Sequence, residues 1–526
     1  MQLPMKLGIG GGIMFSISVF FLFIAFPKIL KSQIHKASAL IPGSEMRNLW
    51  ADLPIPLDFR IFLFNITNAE AIAQGENPIV KEVGPFFYDE YKQKVDLVDR
   101  EEDDTLEYSL KTTWKFNAAK SNGLTGEEEI VFPHLLMLGI IMGTLKEKPT
   151  AMGLVGKAIN SIFQKPESIF IKAKVKDILF DGLPIDCTVT DFAGSAVCTI
   201  LKEQAADLVN DGENKYLFSF FGGKNGTIAR QRLRVYRGMK KRTDVGIVTE
   251  FDGKPSQTIW AGDDCNNFNG TDSTIFHAYL YEDEDLVSFA PDLCRSMGIV
   301  FEKKSKVKGI KTNRYSGNLG DTSTDPLLSC FCETLDTCLK KGLFDLSKCV
   351  GAPIIASLPH MYLTHEMYQK NVTGLHPNKD EHEIFVEFEP MTGTPVSARK
   401  RLQFNIFIQP IDKLKLMKNF PYALLPLLWV EEGILLEGDF IKQLKSVFTV
   451  LKVVAAFKYI FLFGGLGMCG AAGYLQYRKR VSNTMEVTKM PENGSKPSTR
   501  DGDDEKKEWP LNVQTLQGAA VPANLD

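Results

Sequence analysis

Apolar and charged positions are distributed very unevenly along this chain. Between Lys6 and Lys28 lie 21 residues without a charge, LGIGGGIMFSISVFFLFIAFP. At 1.5 Å per residue they make roughly 31 Å of helix, enough to cross the hydrocarbon core of a bilayer. A signal-peptide core is usually about 7–15 residues and ends at a small-residue cleavage site. This run is longer and passes into Pro27-Lys28-Ile29-Leu30, which predicts an uncleaved anchor over 7–27. A second run of 19 uncharged residues, Tyr459 to Tyr477, closes on Arg478-Lys479-Arg480, the basic stop of a cytoplasmic boundary. Two shorter runs, Ile130–Leu145 and Asn419–Val430, hold Pro133, His134, Pro421 and Pro426. They are too short to span and predict a buried core helix or an interfacial segment.

Between the anchors the periodicity changes several times. From Lys28 to Trp50, Ile29, Leu30, Ile34, Ala37, Leu40 and Ile41 recur at helical spacing and predict an amphipathic helix. From Phe59 short alternating runs take over: FRIFLFNIT, GPFFYDEYKQKV, EYSLKTTWKF and RQRLRVYRG. Glu127–Gly182 interrupts them with helix-type runs, EEEIVFPHLLMLGIIMGTL, PTAMGLVGKAINSIF and SIFIKAKVKDILF. Strand patterning returns in VGIVTEFDG, TIFHAYLYEDE, HEIFVEFEP and RLQFNIFIQPI. No repeat period and no Ser/Gly-rich linker divides 28–458, so the expectation is one large antiparallel β domain with a helical insertion. From Val481 the chain is rich in Pro, Gly, Ser, Asp and Lys and predicts a disordered tail.

Composition narrows the function classes. Lys and Arg number 61 against 64 Asp and Glu, a formal net charge of −3, which excludes a nucleic-acid binder relying on overall positive charge. The mean hydropathy of −0.08 excludes a polytopic membrane protein and averages two anchors with an ordinary polar middle. The 36 Phe exceed the 14 Tyr and 5 Trp, ample apolar mass for anchors and a large core.

Cysteines and sequons indicate the compartment. Cys469 lies inside the second apolar run. Cys265, Cys294, Cys330, Cys332, Cys338 and Cys349 crowd into one interval without the paired spacing of a zinc module. They predict disulfides, in any of 15 pairings. Cys187 and Cys198 remain, as a further pair or as free thiols. Sequons at Asn65, Asn225, Asn269 and Asn371 all fall between the anchors. With the cysteines they predict a glycosylated, lumenal or extracellular middle and two cytoplasmic termini. Asn493-Gly-Ser495, in the tail, is expected to carry no glycan.

Catalytic motifs find little support. Gly465-Leu-Gly467-Met-Cys-Gly470 has the letters of a dinucleotide fingerprint, but it sits in an anchor without a preceding strand. There and at Gly8-x3-Gly12, small residues suggest close helix contact. The pairs His360/His365 and His376/His382 do not match a zinc motif and read as structural. The acidic runs Glu101–Asp104 and Glu282–Asp285 read as solvated turns, and Arg230–Arg242 as a solvated strand face with an anionic ligand as the alternative. Lys165, in INSIFQKPES, reads as an exposed lysine, with a role facing a carboxylate as the sharper alternative. No enzyme activity, metal or cofactor is expected.

Several long strings carry a resemblance: FLFNITNAEA (62–71), NPIVKEVGPFFYDEY (77–91), CNNFNGTDSTIFHAY (265–279), DLCRSMGIVFE (292–302), CVGAPIIASLPHMY (349–362) and GLHPNKDEHEIFVEFEPMTGTPVSARKRLQFN (374–405). They resemble the class B scavenger receptor family, that of the fatty-acid translocase or platelet glycoprotein IV. Within it they are most similar to the insect sensory-neuron branch, type 1, of moths. The resemblance implies a mainly β fold: a barrel-like ectodomain with a helical cap at 127–182, an internal hydrophobic tunnel, and two flanking transmembrane helices. It implies the pairs Cys265–Cys330, Cys294–Cys349 and Cys332–Cys338, and an apical basic residue for ligand entry at Lys165. The implied function is reception and transfer of long-chain, fatty-acid-derived ligands such as pheromones at the plasma membrane of olfactory neurons. An odorant receptor complex and an odorant-binding protein are the implied partners. The rival expectation is a scavenger or adhesion receptor that binds lipid particles at its surface.

Overall fold

Runs that alternate between core and water pair here into one dominant antiparallel sheet. In the computed structural model, residues 3–204 and 208–487 are described. The sheet's strands are β1 (Leu57–Ile66), β2 (Val80–Arg100) and β3 (Thr105–Phe116), then, after a separate two-stranded cap sheet of β4 (Glu129–Pro133) and β5 (Phe170–Lys174), β6 (Ile228–Tyr236) and β7 (Val248–Phe251). They continue with β8 (Leu286–Ala290), β9 (Arg295–Val307), β10 (Ile310–Gly317), β11 (Ile384–Glu389), β12 (Thr394–Ile408) and β13 (Ala423–Leu435). The order is β7-β6-β3-β2-β1-β13-β12-β11-β10-β9-β8. Two short strands, Phe344–Asp345 and Ile355–Ser357, branch from β12. The two edges meet through one extended segment. Val248 N–H donates to Gly270 O (3.0 Å), Thr271 N–H to Val287 O (3.0 Å) and Phe289 N–H to Thr271 O (2.8 Å). That segment nearly closes the sheet and occupies backbone groups that an open edge would leave unpaired.

Several expectations change at this level. Asn419–Val430 is no helix: it supplies β13, paired with β1 and β12. Residues 423–429 are all buried, so both faces are covered and the period-2 signal disappears. Pro426 is accommodated opposite a register shift at Phe404/Asn405. EEEIVF and SIFIKAK, expected as helix, form the antiparallel β4–β5 pair; such short apolar runs fit either state by periodicity alone. TIFHAYLYEDE, expected as a strand, is irregular, with Ser273 and Tyr279 at positive φ. The amphipathic run after Lys28 divides into α2 (Phe26–Ser38), which follows α1 (Leu3–Phe20), and α3 (Glu45–Ala51). Pro42 and Gly43 (φ 77°) separate them, and Ser44 caps α3 by accepting from Arg47 N–H.

The cap contains α4 (Leu135–Glu147) and α5 (Met152–Ile162). His134 caps α4, its Nδ1 accepting from Met137 N–H. The helical layer continues past Gly182 into α6 (Phe192–Gln204), beside a small sheet of Leu183–Asp186, Lys215–Phe218 and Val209–Asn210. The last helix, α7, runs from Gly438 to Val487, so residues 481–487 are helical rather than part of a disordered tail. Residues 488–526, with Asn493, lie outside the described residues.

Contacts divide the chain into Phe21–Ala456 and a second unit that joins α1 to the residues after Phe457. α1 with α2, and α7, each contain a stretch long and apolar enough to cross a membrane. Within the second unit the helices meet backbone to backbone. A Cβ at Gly11 would lie 2.9 Å from Gly465 O, and one at Gly465 2.8 Å from Phe15 N. Gly12, Gly467 and Gly470, named by the sequence motifs, have nothing within 4 Å of such a Cβ. Gly465→Leu should therefore destabilise the helix pair by about 1–3 kcal/mol, while Gly467→Leu should be neutral. Thermal unfolding of the solubilised full chain checks this, and equal effects would refute the close packing.

Candidate ligand-binding interior

One apolar cluster joins the sheet to the cap. Phe59, Ile61 and Leu63 of β1 and Leu425, Leu427 and Leu428 of β13 share it with Leu138 and Ile141 of α4, Val155 and Ile159 of α5, and Ile178 and Leu179. Its aromatic seam lies where strands meet cap. Phe221 packs against Phe59 (5.6 Å between ring centres), Trp114 (5.4 Å) and Phe180 (5.6 Å), and Phe180 lies 4.6 Å from Tyr88. Alternation along β1, β2 and β3 aims one face of each strand at this seam.

Further along β2 the same alternation carries charge inside. Lys92 Nζ lies 3.6 Å from Glu90 and bonds Glu432, which also pairs with Lys400 at 3.7 Å. The side chains of Lys92 and Glu432 keep 33% and 22% of their surfaces accessible. Burial pushes the Glu90 carboxyl up to about 8, against the pull of Lys92. Burial also opposes ionisation of Glu432, but Lys92 and Lys400 overcome it and hold the carboxyl down at about 2. Lys94 donates to Trp50 O (2.8 Å) beneath the Trp50 ring, and burial pulls its amine down to about 8.

The histidines separated by the sequence come together. His360 Nε2 lies 2.6 Å from Glu82 Oε2, which also accepts from Trp429 Nε1 (2.7 Å), and His376 N–H donates to His360 Nδ1 (3.0 Å). The His382 ring stacks on His360 at 4.5 Å. Burial, then His360, lowers His382 to about 4. His365 is elsewhere, capping Glu366–Gln369. No group of three His, Cys, Asp or Glu among the described residues is placed to hold a metal ion. The partners of this cluster could not be read from spacing; the signal was polar residues inside otherwise apolar strands.

Lys165 is exposed just beyond α5, its N–H donating to Asn160 O (2.8 Å), without a side-chain partner. Disulfides join Cys265 to Cys330, Cys294 to Cys349 and Cys332 to Cys338, and a fourth joins Cys187 to Cys198 beside α6. Asn269 and Asn371 are exposed. Asn65 is half-buried and accepts from Val131 N–H (2.8 Å), and Asn225 bonds both N–H and C=O of Trp114. Three arginines of the basic run are taken up by carboxylates of the fold: Arg232 pairs with Glu107, Arg234 with Glu250, and Arg237 with Asp99 and Asp104. Asp104, from the first acidic run, is thus a buried ion-pair partner instead of a solvated residue.

One family matches the chain over residues 9–476. The chain belongs to the CD36 family. This is the class B scavenger receptor family that its ordered strings resemble, and it makes the chain a membrane protein. Sensory neuron membrane protein 1 of Apis mellifera is 55% identical over 526 residues, 99% of each chain. That of Ostrinia furnacalis is 45% identical over 483 residues, 91% of each chain. That of Manduca sexta is 42% identical over 497 residues, 92% of this chain and 94% of its own. The resemblance to the type 1 moth proteins thus holds, and the honeybee protein exceeds them in identity.

The buried histidines set an acid dependence. His134, like His382, is lowered to about 4 by burial, whereas an unfolded histidine titrates near 6.5. Between those values the unfolded chain binds more protons, so stability present above pH 6.5 is lost as pH falls toward 4. Each site contributes on the order of 3 kcal/mol. The unfolding midpoint should drop across this window, with a shallower drop in His382→Gln; an identical slope in that variant would exclude His382 as a source.

Proposed function

We propose that this protein is a non-enzymatic receptor and transfer protein for long-chain, fatty-acid-derived odorants such as pheromones. Its termini lie in the cytoplasm and residues 28–458 outside the plasma membrane of an olfactory neuron. Ligand, free or brought by an odorant-binding protein, enters at the cap near Lys165. It passes through the sheet–cap seam and on to the membrane or an odorant receptor complex. The observation that carries this reading is the single apolar cluster continuous from cap helices into the sheet, with the partly accessible Lys92 and Glu432 further along β2 and β13. Transfer by such a path needs no bond chemistry. Each buried CH₂ contributes about 0.8 kcal/mol, roughly 11 kcal/mol for a 14-carbon chain before ordering costs. Lys92 and Lys400 would receive a polar end group. The surface-scavenger alternative draws on basic charge, and Arg232 and Arg234 of β6 are already paired with carboxylates.

Phe221→Asp puts a charge into the seam. Uptake of a fluorescent 14-carbon fatty acid by the full-length protein should fall at least tenfold with the circular dichroism spectrum retained. Wild-type uptake in that folded variant would overturn the conduit. Lys165→Ala should reduce uptake several-fold; no change would remove the entry role of that lysine alone.

A further inference from the structure

A cleft of about 310 Å³ on the Phe21–Ala456 unit has no part in the conduit. Arg242 and Thr243 form one wall, and the loop from His277 to Glu284 forms the other. The Arg242 guanidinium lies 5.3 Å from the centre of the Tyr279 ring. It has no carboxylate partner among the described residues, and its Nε is buried without a hydrogen bond. Across the cleft the acids are not equivalent. Glu284 is held by His277 at 2.6 Å and Glu282 by Lys304 at 2.8 Å, whereas Asp283 has no partner among the described residues. The cleft therefore presents one uncommitted cation, one uncommitted anion and two tyrosine rings, with Tyr281 59% exposed. A simple anion would face Asp283 uncompensated, and a simple cation would face Arg242. A ligand carrying both signs satisfies both walls.

Position narrows the ligand further. The loop bearing Arg242 leaves β6 at Arg237, whose carbonyl accepts from Leu40 N–H (2.9 Å), two residues beyond α2. The other wall is tied through Lys304 to the β9–β10 hairpin. That hairpin packs on the start of α7 through Lys308–Glu437 (2.9 Å) and Ile310 against Leu436 and Ile441. Both walls are thus connected to the places where the chain enters and leaves its two apolar helices. Beside Arg242, Met239 is 43% exposed and followed by Lys240 and Lys241, an apolar tip among basic residues as in segments that rest at a headgroup layer.

We propose that this cleft binds the phosphate-and-amine headgroup of a zwitterionic phospholipid, with Arg242 taking the phosphate and Asp283 and the tyrosine faces taking the ammonium. The proposal is independent of the conduit. It is tested by calorimetric titration of the full-length protein, in non-ionic detergent, with dihexanoyl-phosphatidylcholine below its micellar concentration. One saturable site is expected, weakened tenfold or more in Arg242→Gln and in Asp283→Asn, and several-fold in the exposed-position variant Tyr281→Ala. Lys241→Gln should bind as wild type, because Lys241 already pairs with Asp244 at 2.9 Å. No saturable binding, or undiminished binding by folded Arg242→Gln, would overturn the site. Equal affinity for dihexanoyl-phosphatidylglycerol, or undiminished binding by Asp283→Asn, would overturn the zwitterion. Equal affinity for free phosphocholine would assign the cleft to a soluble phosphorylated amine and overturn the lipid.

Discussion

Closure of the sheet through Gly270 and Thr271 is the constraint on which the rest depends. Without that segment β7 and β8 would be open edges, with backbone donors and acceptors exposed along both strands. With it, the inward faces of β1, β2, β12 and β13 are shut away from bulk water. Only then do Glu90, Lys92 and Glu432 acquire their perturbed ionisation. A charge in such a place is retained only when paired or hydrogen-bonded, and alternation along β2 supplies Glu90, Lys92 and Lys94 to one wall.

The interior is graded. Toward the cap it is apolar and aromatic, built from Phe59, Trp114, Phe180 and Phe221. Along β2 and β13 it becomes charged, with Lys92, Lys400 and Glu432. Between β1, β13 and the segment that follows Leu358 sits the Glu82–His360–His382 cluster, with the His382 ring edge-on to Trp429 and kept neutral by burial. An apolar tail and a polar end group would meet different surroundings along this gradient, which gives the proposed transfer a direction without a moving part.

Much of this was legible beforehand, and the failures have specific causes. The anchors were visible because some 20 uncharged residues in a row have one economical explanation in a cellular chain. The strands β1, β2 and β3 were visible because polar and apolar residues alternate along them, and β11 because Glu387 and Glu389 alternate with Val386 and Phe388 although all four are buried. β13 was misread because both of its faces are covered, and β4 and β5 because five-residue apolar runs lack a diagnostic period. The loop at 274–284 imitates a strand because Ile275 enters one apolar cluster and Phe276 and Leu280 another, while Ser273 and Tyr279 at positive φ break the pleat. The six-cysteine pairing was implied by family resemblance, not by spacing, and the bond between Cys187 and Cys198 depends on how α6 lies against the small cap sheet.

By itself the sequence determined the two apolar helices, a mainly β middle and membership of a family, because these follow from local periodicity and from ordered strings of residues. Only the tertiary structure decided which charges are free. Arg232, Arg234 and Arg237 look as available as Arg242 in the chain, yet the first three are neutralised by Glu107, Glu250, Asp99 and Asp104 from distant segments. Arg242 is left facing Tyr279 and an unpaired Asp283. Pairing across a closed sheet brings together residues far apart in the chain, and no local pattern encodes which of them will meet.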